Sequence, residues 1–122
     1  MATRASETPW PECEVCTTVP AYRDSYGERV LDIRLTEAQL GERLDDGRMR
    51  VLRGDVPLHD MVALAESDLK FTIVLFTQCE ACRTTWFYGL CIRGQPIYKP
   101  EEPGAEYQWH WDEVPPRESW AR

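Results

Sequence analysis

The most strand-like part of the chain is residues 70–100, which read KFTIVLFTQCEACRTTWFYGLCIRGQPIYKP. A run rich in β-branched and aromatic residues leads into a Cys-x-x-Cys turn at Cys79 and Cys82, and a second run of the same kind leads out. Two such runs around a short turn predict an antiparallel hairpin. Its first strand, residues 69–77, carries apolar side chains on both faces, so we expect it to be central in a sheet.

Two further strands are predicted after this turn. Residues 84–92 pair back on the first strand, and residues 95–98 form a short third strand. Because Pro96 has no backbone N–H to donate to a neighbour, we expect the third strand to lie at an edge of the sheet.

The segment before the hairpin predicts a strand followed by a helix. Residues 29–35 alternate between polar and apolar side chains, as in a half-buried strand. Thr36 and Gln39 have the spacing of a capping box, so we expect a helix over residues 37–46 that ends at Gly47.

A second upstream strand and a second helix are predicted closer to the hairpin. Residues 48–53 favour a strand, and Asp55 is placed to cap a helix that has Pro57 in its first turn. That helix has an apolar stripe with the spacing of a core-facing surface: Leu58, Met61, Val62 and Ala65.

The two ends of the chain are predicted to be less regular. Tyr107, Trp109 and Trp111 alternate with polar residues, which favours one last strand. Residues 1–10 are expected to form a flexible arm, and residues 113–122 an irregular tail.

The prediction is one α+β domain over residues 1–122, in which a small antiparallel sheet and two short helices are joined by a cysteine clasp.

The cysteines predict a metal site. The chain has five of them, and four form two Cys-x-x-Cys pairs, at Cys13 and Cys16 and at Cys79 and Cys82. Two residues between cysteines allow one tight turn to present both sulfurs to the same ion. We expect the two turns to close one four-thiolate site, most simply for zinc, although iron suits the same ligands.

The pattern resembles zinc-ribbon and rubredoxin-like folds in the segments CEVC, residues 13–16, and CEAC, residues 79–82, with its hairpin. The resemblance implies a structural metal and a module that contacts proteins or nucleic acids. The sequence departs from that pattern because Thr17 and Arg83 stand where Gly often follows the second cysteine. The insert between the pairs is also long, which costs only about 1 kcal/mol of closure entropy, whereas a structural zinc contributes roughly 10 kcal/mol.

Other chemistry stays open at this stage. A thiol-disulfide redox protein would use Cys79 and Cys82, but neither pair is followed by a good helix start, and a helix N-terminus is what lowers the pKa of such thiols. A small enzyme would use His110 with Asp112. Cys91 lies in a β-rich run and is expected to be a buried, unreactive thiol.

The net charge bears on the kind of partner, and the hydropathy bears on the location of the protein. With 14 basic and 21 acidic residues, the net charge is −7, which disfavours the nucleic-acid-binding alternative because that binding depends on cationic contacts. No apolar run approaches the roughly 20 residues of a membrane helix, and no signal peptide is recognised at the N-terminus, so we expect a cytoplasmic protein.

The function predicted from the sequence is non-catalytic binding to another protein, in an accessory, regulatory or toxin-neutralising role. Five tryptophans are many for 122 residues, and aromatic anchors are enriched at protein interfaces. The acidic C-terminal segment offers Trp109, Trp111 and Trp120 as candidate contacts with a basic surface. For Tyr107, Trp109 and Trp111 we favour a different interpretation, in which the C-terminal segment folds back and covers the sheet or the metal turn.

Overall fold

The structure is a computed structural model that describes residues 8–121, so most of the predicted N-terminal arm lies outside the described residues. The elements in chain order are β1 Tyr22–Ser25, β2 Glu28–Leu31, α1 Ile33–Asp45, β3 Met49–Gly54, α2 Met61–Glu66, β4 Thr72–Cys79, β5 Thr85–Cys91, β6 Ile97–Glu101 and α3 Ala105–Gln108. Short 3₁₀ turns precede α2 and follow α3, at Leu58–Asp60 and Arg117–Ser119. The predicted α+β class is confirmed.

The main sheet is antiparallel throughout, with the strand order β3-β4-β5-β6. The predicted hairpin is present as β4 and β5, with Thr77 opposite Trp86 and Gln78 opposite Thr85. Its turn contains the second cysteine pair. The third strand of the prediction is β6, which lies at the edge as expected but begins one residue after Pro96.

Both faces of β4 are covered, as the sequence predicted. Ile73 and Leu75 belong to the main core, which α1 and α2 help to cover. Val74 and Phe76 face the other side, where they form a smaller cluster with Phe87 of β5. Phe71, expected to be part of this strand, lies before it and is exposed.

The predicted strand over residues 29–35 is wrong in its second half. The strand β2 ends at Leu31 and pairs with β1 across a tight turn. The helix α1 begins at Ile33, because the side chain of Asp32 caps it by accepting a hydrogen bond from the backbone N–H of Leu35. Thr36 is therefore not the cap but a buried residue of the first helical turn, where Ala21 N–H donates to its hydroxyl.

Asp55 also has a different role from the one predicted. Its carboxylate accepts a hydrogen bond from the backbone N–H of Val74 in β4 instead of capping a helix. The chain then passes through Pro57 into the 3₁₀ turn and α2, which buries Met61 and Leu64.

The predicted last strand over residues 107–111 is also wrong. The helix α3 ends at Gln108, and the following extended residues carry Trp109 and Trp111 onto the second face of the sheet. Trp109 lies 5.3 Å from Phe87 and Trp111 lies 6.0 Å from Phe76, measured between ring centroids. The apolar alternation thus comes from packing on a sheet face, without pairing to a strand.

None of the described helices combines the length and the apolar character that a membrane crossing demands.

Candidate metal centre

The four paired cysteines meet at one point, with all of their sulfur atoms within 4.8 Å of one another. Across the two turns, Cys13 Sγ lies 3.7 Å from Cys79 Sγ, and Cys16 Sγ lies 3.6 Å from Cys82 Sγ. Four sulfurs held about 2.3 Å from a central zinc ion would be about 3.8 Å apart, whereas a disulfide bond is about 2.05 Å long. The spacing therefore fits four ligands around one ion.

The second cysteine turn is built into the end of the β4–β5 hairpin. Cys79 is the last residue of β4, and its backbone N–H donates to Thr84 O at 3.0 Å. Arg83 N–H donates back to Cys79 O at 2.8 Å, which closes the turn. Arg83 has a positive φ of 69°, a conformation that glycine adopts without steric cost. This is the position at which the sequence lacks the glycine of the zinc-ribbon pattern.

The first cysteine turn has no hairpin of its own and is held by α1. Arg43, a buried residue of this helix, donates from Nε to Val15 O at 2.7 Å and from its terminal nitrogen to Thr18 Oγ1 at 2.9 Å. Gln39, one turn earlier, donates from Nε2 to Val19 O at 2.6 Å. These contacts fix the turn from outside, so α1 places Cys13 and Cys16 where the second turn can meet them.

Two aromatic side chains flank Cys16 from the sheet. The Tyr98 hydroxyl donates to the backbone carbonyl of Cys16 at 2.9 Å. Trp86 stacks on Tyr98 with 4.4 Å between ring centroids and an interplanar angle of 12°, and Trp10 packs edge-on against Trp86 at 4.9 Å. This stack forms the wall of the site on the core side.

The ionisation of the four thiols is linked to whether a cation is bound among them. Burial raises the pKa of the Cys16 and Cys79 thiols. Burial also opposes ionisation of Cys82, but hydrogen bonds with the side chain and backbone of Thr84 bring the pKa of this thiol down to about 7. A divalent ion supplies the positive charge that would hold all four sulfurs in their ionised form. The donor set can therefore bind a metal ion.

The remaining predicted site residues lie elsewhere. Cys91, at the end of β5, is exposed, so the expectation of a buried thiol is wrong. His110 Nε2 lies 3.1 Å from Asp112 Oδ1, but the histidine side chain is 89% exposed. Trp120 is only 7% exposed, and its Nε1–H donates to Pro115 O at 3.0 Å. Partner binding through the three tryptophans stays a prediction.

The residues that support the two cysteine turns were missed from the sequence, although some carried a signal. Arg43 interrupts the apolar stripe of its helix between Leu40 and Leu44, and a charged residue at such a position must find partners. A buried tyrosine likewise needs a partner for its hydroxyl, which applies to Tyr98 and its bond to Cys16 O. Gln39 has the spacing of a capping box, but its side chain donates to Val19 O in a distant segment, which no local pattern indicates.

Comparison of the chain with protein-family models, with curated proteins and with solved structures found no match. The fold and the site together define a small α+β protein with a four-cysteine cluster able to hold one metal ion.

Proposed function

We propose that the chain is a zinc-stabilised, non-catalytic protein that binds another protein. The observation that carries the zinc assignment is the meeting of four sulfurs within 4.8 Å from turns 66 positions apart in the chain. Four thiolates complete the tetrahedral shell of zinc and leave no position for a water or a substrate, which is typical of a structural site.

The geometry also favours a structural role over thiol-disulfide exchange. Cys79 ends a strand, and its turn leads into another strand, so the helix N-terminus that activates redox cysteines is missing at this pair. Within the second pair, Cys79 is buried and Cys82 is only partly exposed. A pair that exchanges electrons with other proteins needs an accessible attacking sulfur, so this burial also favours the structural role.

Metal analysis combined with thiol counting tests the zinc assignment. We expect one zinc per chain and, in the native state, alkylation of Cys91 alone among the five cysteines. A folded, metal-free protein with a reversible disulfide between Cys79 and Cys82 would overturn the assignment and favour the redox alternative.

The binding role is supported by an exposed aromatic residue in the acidic C-terminal segment. Tyr107 is 83% exposed on α3, next to Trp109, whose indole packs inward on the sheet. Exposed carboxylates of the same part of the chain lie on either side of this position in sequence: Glu102, Asp112 and Glu113. An aromatic anchor among acidic groups suits a partner with a basic surface.

A matched pair of tyrosine variants tests this surface. We expect a partner captured from cell extract by the tagged protein to be lost with Tyr107→Ala and retained with Tyr26→Ala, since Tyr26 is exposed on the β1–β2 turn. Equal capture by both variants would exclude Tyr107 from the interface.

A further inference from the structure

A groove lies between α1 and the 3₁₀ turn at Leu58–Asp60, on a surface that the proposed function does not use. Its volume is about 600 Å³, within the roughly 300–1,000 Å³ that is typical of small-molecule sites. Leu44 and Leu58 supply apolar surface, and two carboxylates, Glu37 and Asp45, line the groove beside one guanidinium, Arg34. The groove therefore offers a ligand apolar contacts and an excess of negative over positive side chains.

The groove is open because residue 41 is glycine. Gly41 lies in the interior of α1, where glycine destabilises a helix relative to alanine. Its φ is not positive, and in the described part of the chain a Cβ at this position would meet only Leu58 Cδ2, at an ordinary contact distance of 3.7 Å. Neither the backbone nor the packing requires a glycine here, so its effect is to keep the groove open at a cost to the helix.

The carboxylate of Glu37, one helical turn before Gly41, is the least exposed charge in the groove. The side chain is partly buried, and its Oε2 accepts a hydrogen bond from the hydroxyl of the buried Tyr88 at 2.7 Å. In the described part of the chain, the ion pairs of α1 involve Glu42 and Arg43, and none reaches Glu37. A partly buried carboxylate is costly without a cation beside it, and a bound cation would offset that cost.

We propose that this groove binds a small organic cation, a primary ammonium group on an apolar chain, with the Glu37 carboxylate as its counter-ion. The ammonium donates to Glu37, which Tyr88 holds in position, and the apolar chain lies along Leu44 and Leu58. The excess of carboxylates in the groove favours a cation over an anion. This inference is independent of the metal site and of the partner surface at Tyr107.

The test is an NMR titration of the purified, folded protein with n-hexylamine, with n-hexanol as the neutral match. We expect hexylamine to cause saturable shifts of the backbone amide signals of Gly41, Leu44 and Leu58. Hexanol should bind at least about tenfold more weakly, because hydrogen bonds between charged groups are the stronger ones. Absence of a saturable shift with hexylamine, or equal affinity for the two compounds, would overturn the inference.

A pair of charge variants tests the role of Glu37. Glu37→Gln keeps the size of the side chain and removes its charge, so it should lower the affinity for hexylamine about tenfold or more. Arg34→Gln is the matched control, because it also replaces a charged residue of the groove with glutamine, and it should leave the affinity unchanged or raise it. Unchanged affinity in Glu37→Gln, or equal losses in both variants, would contradict the assigned counter-ion.

Gly41→Leu fills the groove without removing a charge. A side chain at this position of the helix leans toward the preceding turn, which carries Glu37 and Ala38. Leucine is also a better helix former than glycine, so we expect this variant to fold with a higher melting temperature and to lose the response to hexylamine. A folded Gly41→Leu protein with the affinity of the unmodified protein would place the ligand elsewhere and overturn the inference. Should this variant not fold, the two charge variants decide the question.

Discussion

Arg43 Nε of α1 donates to the backbone carbonyl of Val15, at 2.7 Å, in the middle of the first cysteine turn. This contact joins a helix to a segment 28 positions earlier in the chain. Because no strands flank the first turn, α1 positions Cys13 and Cys16. The hairpin positions Cys79 and Cys82. The two halves of the cluster are thus positioned by different kinds of structure.

Replacing Arg43 with Leu should destabilise the metal-loaded protein. The leucine keeps an apolar stem but leaves Val15 O and the Thr18 hydroxyl without their donor. Thr18 is exposed, so water can replace its donor, whereas the loss at the partly buried Val15 O should cost about 1–3 kcal/mol. Urea unfolding followed by circular dichroism measures the free energy of unfolding. Arg34→Leu, on the exposed side of the same helix, is the control and should change it by about 0.5 kcal/mol or less. Equal effects of the two variants would mean that Arg43 does not hold the turn.

Removing one ligand should be far more damaging than removing a contact around it. We expect Cys79→Ser to lose the metal and its cooperative unfolding transition, because a structural zinc contributes roughly 10 kcal/mol and a whole domain has only about 5–15 kcal/mol of stability. Cys91→Ser, which changes the exposed cysteine outside the cluster, should keep both. Metal content by mass spectrometry and thermal unfolding are the measurements. A folded Cys79→Ser protein with one zinc per chain would contradict the four-ligand site.

The hairpin and the two cysteine turns were predictable because their signals are local. The meeting of the turns was predictable because a zinc ion needs four ligands and each turn supplies two. A strand with apolar residues on both faces and two Cys-x-x-Cys turns can be recognised without knowing their neighbours. The start of α1 was not predictable, because the alternation of Leu31, Ile33 and Leu35 is that of a strand. The helix begins there because Asp32 accepts a hydrogen bond from Leu35 N–H, a contact that the alternation does not indicate. The strand predicted for Trp109 and Trp111 is wrong for the same reason, since their alternation is that of a strand. These residues instead cover a sheet face, as the fold-back interpretation predicts.

Arg83 offers a test of the departure from the zinc-ribbon pattern. A non-glycine residue at a φ of 69° costs about 1–2 kcal/mol, whereas glycine adopts this conformation freely and loses part of the gain through its larger unfolded-state entropy. Arg83→Gly should therefore raise the free energy of unfolding by roughly 0.5 kcal/mol, and Arg83→Val should lower it by more than about 1 kcal/mol. The ion pair with Glu80 lost in both variants is exposed and contributes little.

Chemical denaturation of the metal-loaded protein distinguishes the two Arg83 variants. Because both remove the same guanidinium, the difference between them isolates the backbone conformation. A glycine variant no more stable than the valine variant would show that residue 83 does not adopt the left-handed conformation in solution.

Glu37 gives a pH dependence that can be separated from that of the metal. Its carboxylate accepts a hydrogen bond from the hydroxyl of the buried Tyr88 at 2.7 Å. Burial raises the pKa of Glu37 above its ordinary value of 4.5, and the hydrogen bond from Tyr88 offsets only part of this effect. The folded protein therefore holds this proton more tightly than the unfolded chain does. The resulting stabilisation is fully present below about pH 4.5 and is lost as the pH rises through the raised pKa.

Glu37→Gln removes this dependence while keeping an amide oxygen that can accept from Tyr88. Acid also protonates the cysteines and releases the metal, but it does so in both proteins, so the difference in unfolding free energy between them isolates Glu37. We expect this difference to move in favour of the glutamine variant as the pH rises from 4.5 through the raised pKa, and then to become constant. Glu42→Gln is the control, because Glu42 lies on the exposed side of the same helix. It reports the effect of removing one negative charge from α1 without changing a buried group. A difference between Glu37→Gln and the unmodified protein that stays flat over this range would show that Glu37 is not buried against Tyr88 in solution.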